Sequence, residues 1–279
     1  MSDFPVSVVP SQADWNANKK YAELANGVRV AYIEWGNPAG DPLLLLHGFT
    51  DSSRTWSTLL PHVRDRRVIA LDLRGHGSTS APETTYGLGE LAHDVCLLVD
   101  ELKIGRFDLV GHSLGSLIGQ IIAAYHPEKI RNLVLIGSGT RAPAKPGSWL
   151  FENVMSMQFP LDPRGEFMNE WYANPFRVDA AFEDASRREA ANIKSHVWKG
   201  VVRGLSFSDL LPLQPLIQSP LLIIWGDQDP LFVREDQDVL VSAHPRARFV
   251  AFEGSGHNPH WDFAGRVAEE IKAFAATPR

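Results

Sequence analysis

The sequence predicts an α/β protein built on a mostly parallel, eight-stranded sheet with helices on both faces. Three observations carry this. Short apolar runs at 43–46, 68–71, 107–110, 133–136, 221–225 and 248–252, interrupted only by Asp108 and Arg248, alternate with helical stretches, the pattern of strands buried on both faces and joined by crossovers. The pentapeptide Gly111-His112-Ser113-Leu114-Gly115 stands where one such run gives way to an apolar, helix-compatible segment. Between 140 and 213 no run reads as a buried strand, while large aromatic side chains appear among polar ones, which marks a helical insertion.

Residues 1–18 mix Pro, Ser, Asn and Asp without a period and read as an N-terminal arm, with Trp15 to pin it down. Lys20–Ala25 and Val28–Trp35 flank Asn26-Gly27, so a hairpin at the antiparallel edge of the sheet is expected. Leu43–Leu46 ends at His47-Gly48-Phe49. Val68–Leu71 ends at Asp72-Leu73-Arg74-Gly75-His76-Gly77-Ser78, a loop read as architectural ahead of catalytic. Leu88, Leu91, Ala92, Val95, Leu98, Val99 and Leu102 recur at helical spacing and predict an amphipathic helix over 88–102. Phe107–Val110 then runs through Ser113 into a helix over Leu114–Tyr125, and Leu133–Ile136 closes at Gly137-Ser138-Gly139. Most aromatics of the insertion are expected to form its own small core and a minority to face a ligand, because concave sites form where strand ends meet an added layer. Leu221–Trp225 and Arg248–Phe252 resume the sheet, and Val267, Ile271 and Phe274 mark the packed face of the last helix.

The composition narrows the function classes. With 27 basic against 33 acidic residues the net charge is −6, which provides no electrostatic footprint for nucleic acid or an anionic membrane. Small neutral or apolar ligands fit better. Cys96 is the only cysteine, so no internal disulfide forms; it is read as inert packing in a reducing, cytoplasmic setting. Met1–Pro10 lacks a basic segment followed by an apolar core, and no apolar run reaches the roughly 18 residues of a membrane span.

The chemistry centres on Ser113. A serine at a strand-to-helix turn needs small residues two before and two after it, and Gly111 and Gly115 supply them. The helix that follows points free N–H groups, the Leu114 amide among them, toward an oxyanion formed at the serine. A serine hydroxyl also needs a base, and the base an orienting acid. Trp225-Gly226-Asp227-Gln228-Asp229-Pro230 and Glu253-Gly254-Ser255-Gly256-His257-Asn258-Pro259-His260 each follow a strand, and Asp229 and His257 are read as acid and base, with activity falling at acid pH as the base is protonated. His257 and His260 sit three apart in a Pro-containing loop with no carboxylate trio or cysteine pair, so no metal is expected there. His76 is read as structural.

The segments His47-Gly48-Phe49, Asp72–Ser78, Gly111–Gly115, Gly226–Asp229 and Gly256-His257, in this order and at these intervals, resemble the motif set of the α/β-hydrolase superfamily, and the resemblance runs from about Tyr21 to Phe274. It implies an α/β-hydrolase core over 1–139 and 214–279, a helical cap over 140–213 inserted after the sixth strand, and an oxyanion hole formed by the amides of Phe49 and Leu114. The family pattern of glycine, two variable residues and aspartate selects Asp229 over Asp227; Gly137–Arg141 contains no carboxylate, which removes the placement of the acid after the sixth strand. Relatives that open epoxides or displace halide carry aspartate at the elbow, where this chain has Ser113. Peptidase relatives often have Trp beside the nucleophile, where this chain has Leu114. Carbon–carbon hydrolases of ring-cleavage products tend to have an aromatic residue directly after the histidine, where this chain has Asn258, with Trp261 four residues on. The resulting expectation is a cofactor-free serine esterase or lactonase acting on a hydrophobic small molecule. A carbon–carbon hydrolase and a hydrolase-like small-molecule receptor are the alternatives. His47, His112, Trp149, Trp171, Trp198, His260 and Trp261 are expected to line the substrate pocket. A homodimer is compatible with this reading, and neither nucleic acid nor membrane is an expected partner.

Overall fold

The computed structural model describes residues 10–276. Eight strands form one sheet: β1 (Lys20–Glu23), β2 (Arg29–Gly36), β3 (Pro42–Leu46), β4 (Arg67–Leu71), β5 (Phe107–His112), β6 (Ile130–Ile136), β7 (Leu221–Gly226) and β8 (Arg248–Phe252). Their spatial order is β1-β2-β4-β3-β5-β6-β7-β8. β1 and β2 pair antiparallel, as does β2 with β4, and every other neighbour is parallel. The hairpin turns at Asn26-Gly27, where Gly27 takes φ 80°, and Leu24 N–H donates to Val28 O at 2.9 Å.

The apolar runs of β3, β4, β6 and β7 are continuous because both faces of the sheet are covered there, whereas β8, at the edge, buries only Phe252. Alternation along β3 sends Leu44 and Leu46 into one core, shared with the helices α2 (Leu88–Glu101) and α3 (Leu114–Tyr125), and Leu43 and Leu45 into the other, shared with α10 (Ala264–Ala275). The described part of the arm is pinned by Trp15. Within α1 (Gln12–Ala17) Trp15 is buried and donates Nε1–H to Ser53 Oγ at 3.1 Å. Residues 1–9 of that arm, which include nearly all of the Met1–Pro10 stretch, lie outside the described residues.

The 72–78 loop has the architectural role the sequence suggests. Asp72 is buried and accepts from Lys19 Nζ at 2.7 Å and from the Ser53 and Ser78 amides at 2.8 Å each. Arg74 forms a two-pronged pair with Asp94 on α2, at 2.7 and 2.6 Å. His76 is fully buried, with Nδ1 on the Arg74 carbonyl at 2.9 Å. Cys96 is half-buried on α2, and burial pushes its thiol up to about 11, so it stays a thiol.

Between β6 and β7 the chain forms α4 (Trp149–Ser156), α5 (Glu166–Trp171), α6 (Ala180–Asn192) and α7 (Ser195–Ser206), and no strand. After β7 come α8 (Arg234–Ala243), then β8 and α9 (Pro259–Asp262) before α10. No helix among the described residues is long and apolar enough to cross a membrane.

Candidate active site

The order β4-β3-β5 means that the strands following β3 lie on its two opposite sides, and such a switch point opens a crevice at the carboxyl ends of parallel strands. Ser113 sits there, between β5 and α3. Its backbone is held at φ 50°, ψ −117°, a left-handed region that costs a non-glycine residue about 1–3 kcal/mol. Bonds on both sides hold it: Ser113 N–H donates to Ile136 O at 3.0 Å, and Ser113 O accepts from the Ser116 and Leu117 amides. The flanking glycines are required by contact. A Cβ on Gly111 would lie 2.3 Å from Gly115 O, and one on Gly115 would lie 2.3 Å from Leu46 O. Leu114 N–H is the first amide of α3 and one of the four that a helix leaves without an intrahelical acceptor.

His257 and Asp229 arrive from the loops after β8 and β7. His257 Nδ1 lies 2.8 Å from Asp229 Oδ2. The other carboxylate oxygen accepts from the Leu231 amide at 2.8 Å and the Phe232 amide at 3.1 Å, which fixes the carboxylate's orientation. Beside a carboxylate oxygen, Nδ1 carries the proton, and Nε2 of the neutral ring is then an acceptor. His257 Nε2 is buried and has no hydrogen-bond partner among the described residues. Asp227 lies apart from this pair and accepts the Gly254 amide at 2.7 Å.

Ser113 and His257 line one cavity of about 590 Å3. Of the residues expected at the pocket, His112, Trp149, Trp171 and Trp261 line it, and so does Phe49, whose amide was expected at the oxyanion hole. His112 Nε2 is 3.0 Å from the His257 carbonyl and holds the loop that carries His257. Burial, with His260 and His257 as neighbours, keeps the His112 pKa well below the ordinary histidine value, so its ring is neutral and Nε2 is the donor. Trp171 Nε1–H donates to Thr50 Oγ1 at 2.9 Å and ties α5 to the loop after β3. Trp149, Phe167 and Trp171 stack with planes within 10° of one another.

Three expected pocket residues lie elsewhere. His47 is fully buried beneath the site: Nδ1 meets Gly48 O at 2.7 Å and Nε2 accepts the Leu73 amide at 2.9 Å. With both nitrogens committed, its ring fastens the β3 loop to the β4 loop, and burial lowers its pKa to about 3. Trp198 is behind Phe49, whose ring meets it edge-on at 4.9 Å, and its Nε1–H donates to Ala190 O. His260 packs on Trp56 and His112 with Nε2 3.2 Å from Thr55 Oγ1. It is fully buried on α9, facing away from the cavity lining. Among the described residues no group of three or more His, Cys, Asp or Glu could hold a metal ion.

The cavity wall also contains residues that the sequence did not single out. Asp51 is buried there, 3.8 Å from His112 Nδ1, and burial raises its pKa well above the ordinary carboxylate range, with Glu189 adding to the effect. Tyr172, Asn174 and Pro175 come from the chain after α5. A second, apolar recess of about 20 Å3 adjoins Ser113, lined by Leu117, Leu150, Leu205, Leu231 and Phe232 among others. Ser113, Phe49, Trp171 and Leu231 are common to both spaces.

Comparison with known proteins agrees with this architecture. The chain is 29% identical over 253 residues to 2-(acetamidomethylene)succinate hydrolase of Mesorhizobium japonicum, covering 86% of this chain and 87% of that protein. It is 28% identical over 258 residues to a dihydrolipoyllysine-residue acetyltransferase component of an acetoin cleaving system of Pseudomonas putida, covering 89% of this chain and 67% of that protein. The crystal structure of a hydrolase from Pseudomonas aeruginosa PA01 superposes with a TM-score of 0.84 at 25% identity, over 93% of this chain and 99% of that one. A family model described as alpha/beta hydrolase fold matches residues 41–264, and the chain belongs to that family.

Proposed function

We propose that this protein is a serine hydrolase that cleaves a carboxylic ester or lactone of a hydrophobic small molecule, with residues 140–213 acting as a cap over a core of 1–139 and 214–279. The observation that carries the reading is the 2.8 Å contact between His257 Nδ1 and Asp229. It leaves Nε2 as a free acceptor in the cavity that Ser113 lines.

In this reading His257 Nε2 takes the proton of Ser113 as Oγ attacks the carbonyl carbon. The tetrahedral oxyanion is held by the Phe49 and Leu114 amides, each such donor being worth about 3–4 kcal/mol of barrier. The imidazolium, stabilised by Asp229, gives its proton to the leaving oxygen. Water deprotonated by the same histidine then releases the acid and regenerates Ser113. No cofactor is needed for these steps. The two spaces at Ser113 support an unequal division of the substrate, with a small apolar acyl part in the recess and the larger part among Trp149, Trp171 and Trp261. Two of the relatives above are named hydrolases, which favours this chemistry. A lone cysteine held as a thiol fits a reducing compartment.

The test is a panel of aryl esters and lactones, with a serine-directed phosphonate whose adduct is mapped. Multiple turnovers that vanish in Ser113→Ala, with the label on Ser113, are expected. Turnover that survives Ser113→Ala, or a label elsewhere, would overturn the assignment. At most one turnover accompanied by ligand-dependent binding of another protein would make the fold a receptor instead.

A further inference from the structure

A second cavity, of about 1020 Å3, lies between α1, the Gly75–Ala81 loop and α6. It shares no described lining residue with the cavity at Ser113. Arg54, in the short 3-10 turn Ser53–Trp56, reaches its wall. The residue is 2% exposed, and its Nε and Nη1 are buried without a hydrogen-bond partner. No carboxylate lies within 4 Å of its guanidinium among the described residues, and its nearest π face, Phe182, is 5.9 Å from Cζ. A guanidinium cannot shed its proton to escape this position. A buried charge with neither ion pair nor hydrogen bond is strongly disfavoured, and a bound ion is one of the partners that satisfies such a group.

The neighbouring acid does not complete it. Glu189 is committed elsewhere: Oε1 accepts from Gln12 Nε2 at 2.7 Å and Oε2 from Ser52 Oγ at 2.6 Å. Asp184, at the rim, is taken by Arg188 at 2.7 Å. Lys194 lines the same cavity, is exposed, and makes no ion pair among the described residues. Glu189 and Asp179 act on Arg54 only from a distance, so one buried and one peripheral cation face a common space with no carboxylate in direct contact with either among the described residues.

We propose that this cavity is a binding site for a small organic anion, whose carboxylate or phosphate group seats against Arg54 while Lys194 engages it from the rim. Two oxygens of a carboxylate or a phosphate match the N–H directions of a guanidinium, and a rigid, desolvated arginine discriminates in their favour over chloride.

The full chain is titrated with succinate and, separately, inorganic phosphate at constant ionic strength set with chloride, and binding is followed by calorimetry and thermal unfolding. At least one of the two anions is expected to bind saturably and to raise Tm by roughly 4 °C at saturating concentration. Which of the two does so tells a carboxylate site from a phosphate site. Arg54→Met is expected to abolish the binding. Because that variant could lose folded protein, Lys194→Glu, at an exposed position, provides the second test, with affinity expected to fall about tenfold. Absence of saturable binding by both anions, or affinity unchanged in Lys194→Glu, overturns the proposal. So does binding that persists in Arg54→Met, or binding lost on Trp149→Ala at the other cavity.

Discussion

Asp227 and Asp229 stand two residues apart in one turn and have separate functions: one holds the Gly254 amide at 2.7 Å and the other holds His257 at 2.8 Å. The proposed mechanism turns on that difference. Asp229→Asn presents an amide that no longer enforces the Nδ1–H tautomer, and kcat is expected to fall by roughly 10^4, the size of the same exchange in serine proteases. Asp227→Asn keeps an oxygen for the Gly254 amide, and kcat should change by about threefold or less. Steady-state kinetics on one aryl ester checks both, and equal losses would remove Asp229 from its role. The pairing was legible because Gly226–Asp229 resembles the family pattern of glycine, two variable residues and aspartate. The positions of His47 and His260 were not. Being next to a strand end fixes the level of a residue in the fold and leaves open whether its ring turns to the cavity or to the core, which here is decided by the Leu73 amide and by Thr55. Asp51 escaped notice for a related reason, since an acid in a polar-looking loop gives no sign that the fold will bury it.

At the scale of elements, legibility followed burial. The strands at 42–46, 67–71, 107–112, 130–136 and 221–226 bury nearly every residue, so their apolar runs could be read directly. α8 packs only Gln237 and Leu240 into the core, too few apolar contacts to leave a period, and it was not anticipated. α1 likewise buries only Trp15. The insertion had the reverse difficulty: its aromatics were visible, but their division between core and cavity depends on how α4, α5 and α7 pack. Trp149 and Trp171 stack beside the cavity, while Trp198 is sealed behind Phe49. Leu231, between β7 and α8, borders both spaces at Ser113. Leu231→Ala should enlarge the small recess and relax the acyl preference. The ratio of kcat/KM for a butyrate over an acetate aryl ester is expected to rise about tenfold, the lower end of what methylenes gain in an apolar pocket. An unchanged ratio would mean that the acyl part does not use this recess.

For the molecule as a whole, the buried histidines link the site's architecture to acid stability. Burial lowers His47 and His260 to about 3 and His76 to about 4, and holds His112 well below the ordinary value. Unfolded, each titrates near ~6.5. A folded value below the unfolded one means that the unfolded chain binds the extra proton between the two. The stabilisation is therefore complete above about pH 6.5 and is lost as pH falls toward the folded values. Asp51 works in the opposite direction, because its raised pKa lets the folded state keep a proton that the unfolded chain releases, and it offsets part of the loss. Glu189, Asp236 and Asp262, also raised by burial, act in the same sense as Asp51, whereas His244 acts with the other histidines, and the fully buried histidines set the direction: stability falls as pH drops below about 6.5. Domains are stable by only about 5–15 kcal/mol, so the loss is expected to show as a falling unfolding midpoint in mild acid. Urea titrations at pH 7.5, 6.5 and 5.5 check this through the midpoint, which should hold nearly level across the first step and drop steeply across the second. His260→Gln, which keeps a donor for Thr55 but cannot be protonated, should remove about one proton from that slope. A midpoint level down to pH 5 would mean that these rings are not held neutral by burial, and that the core beneath Ser113 admits water.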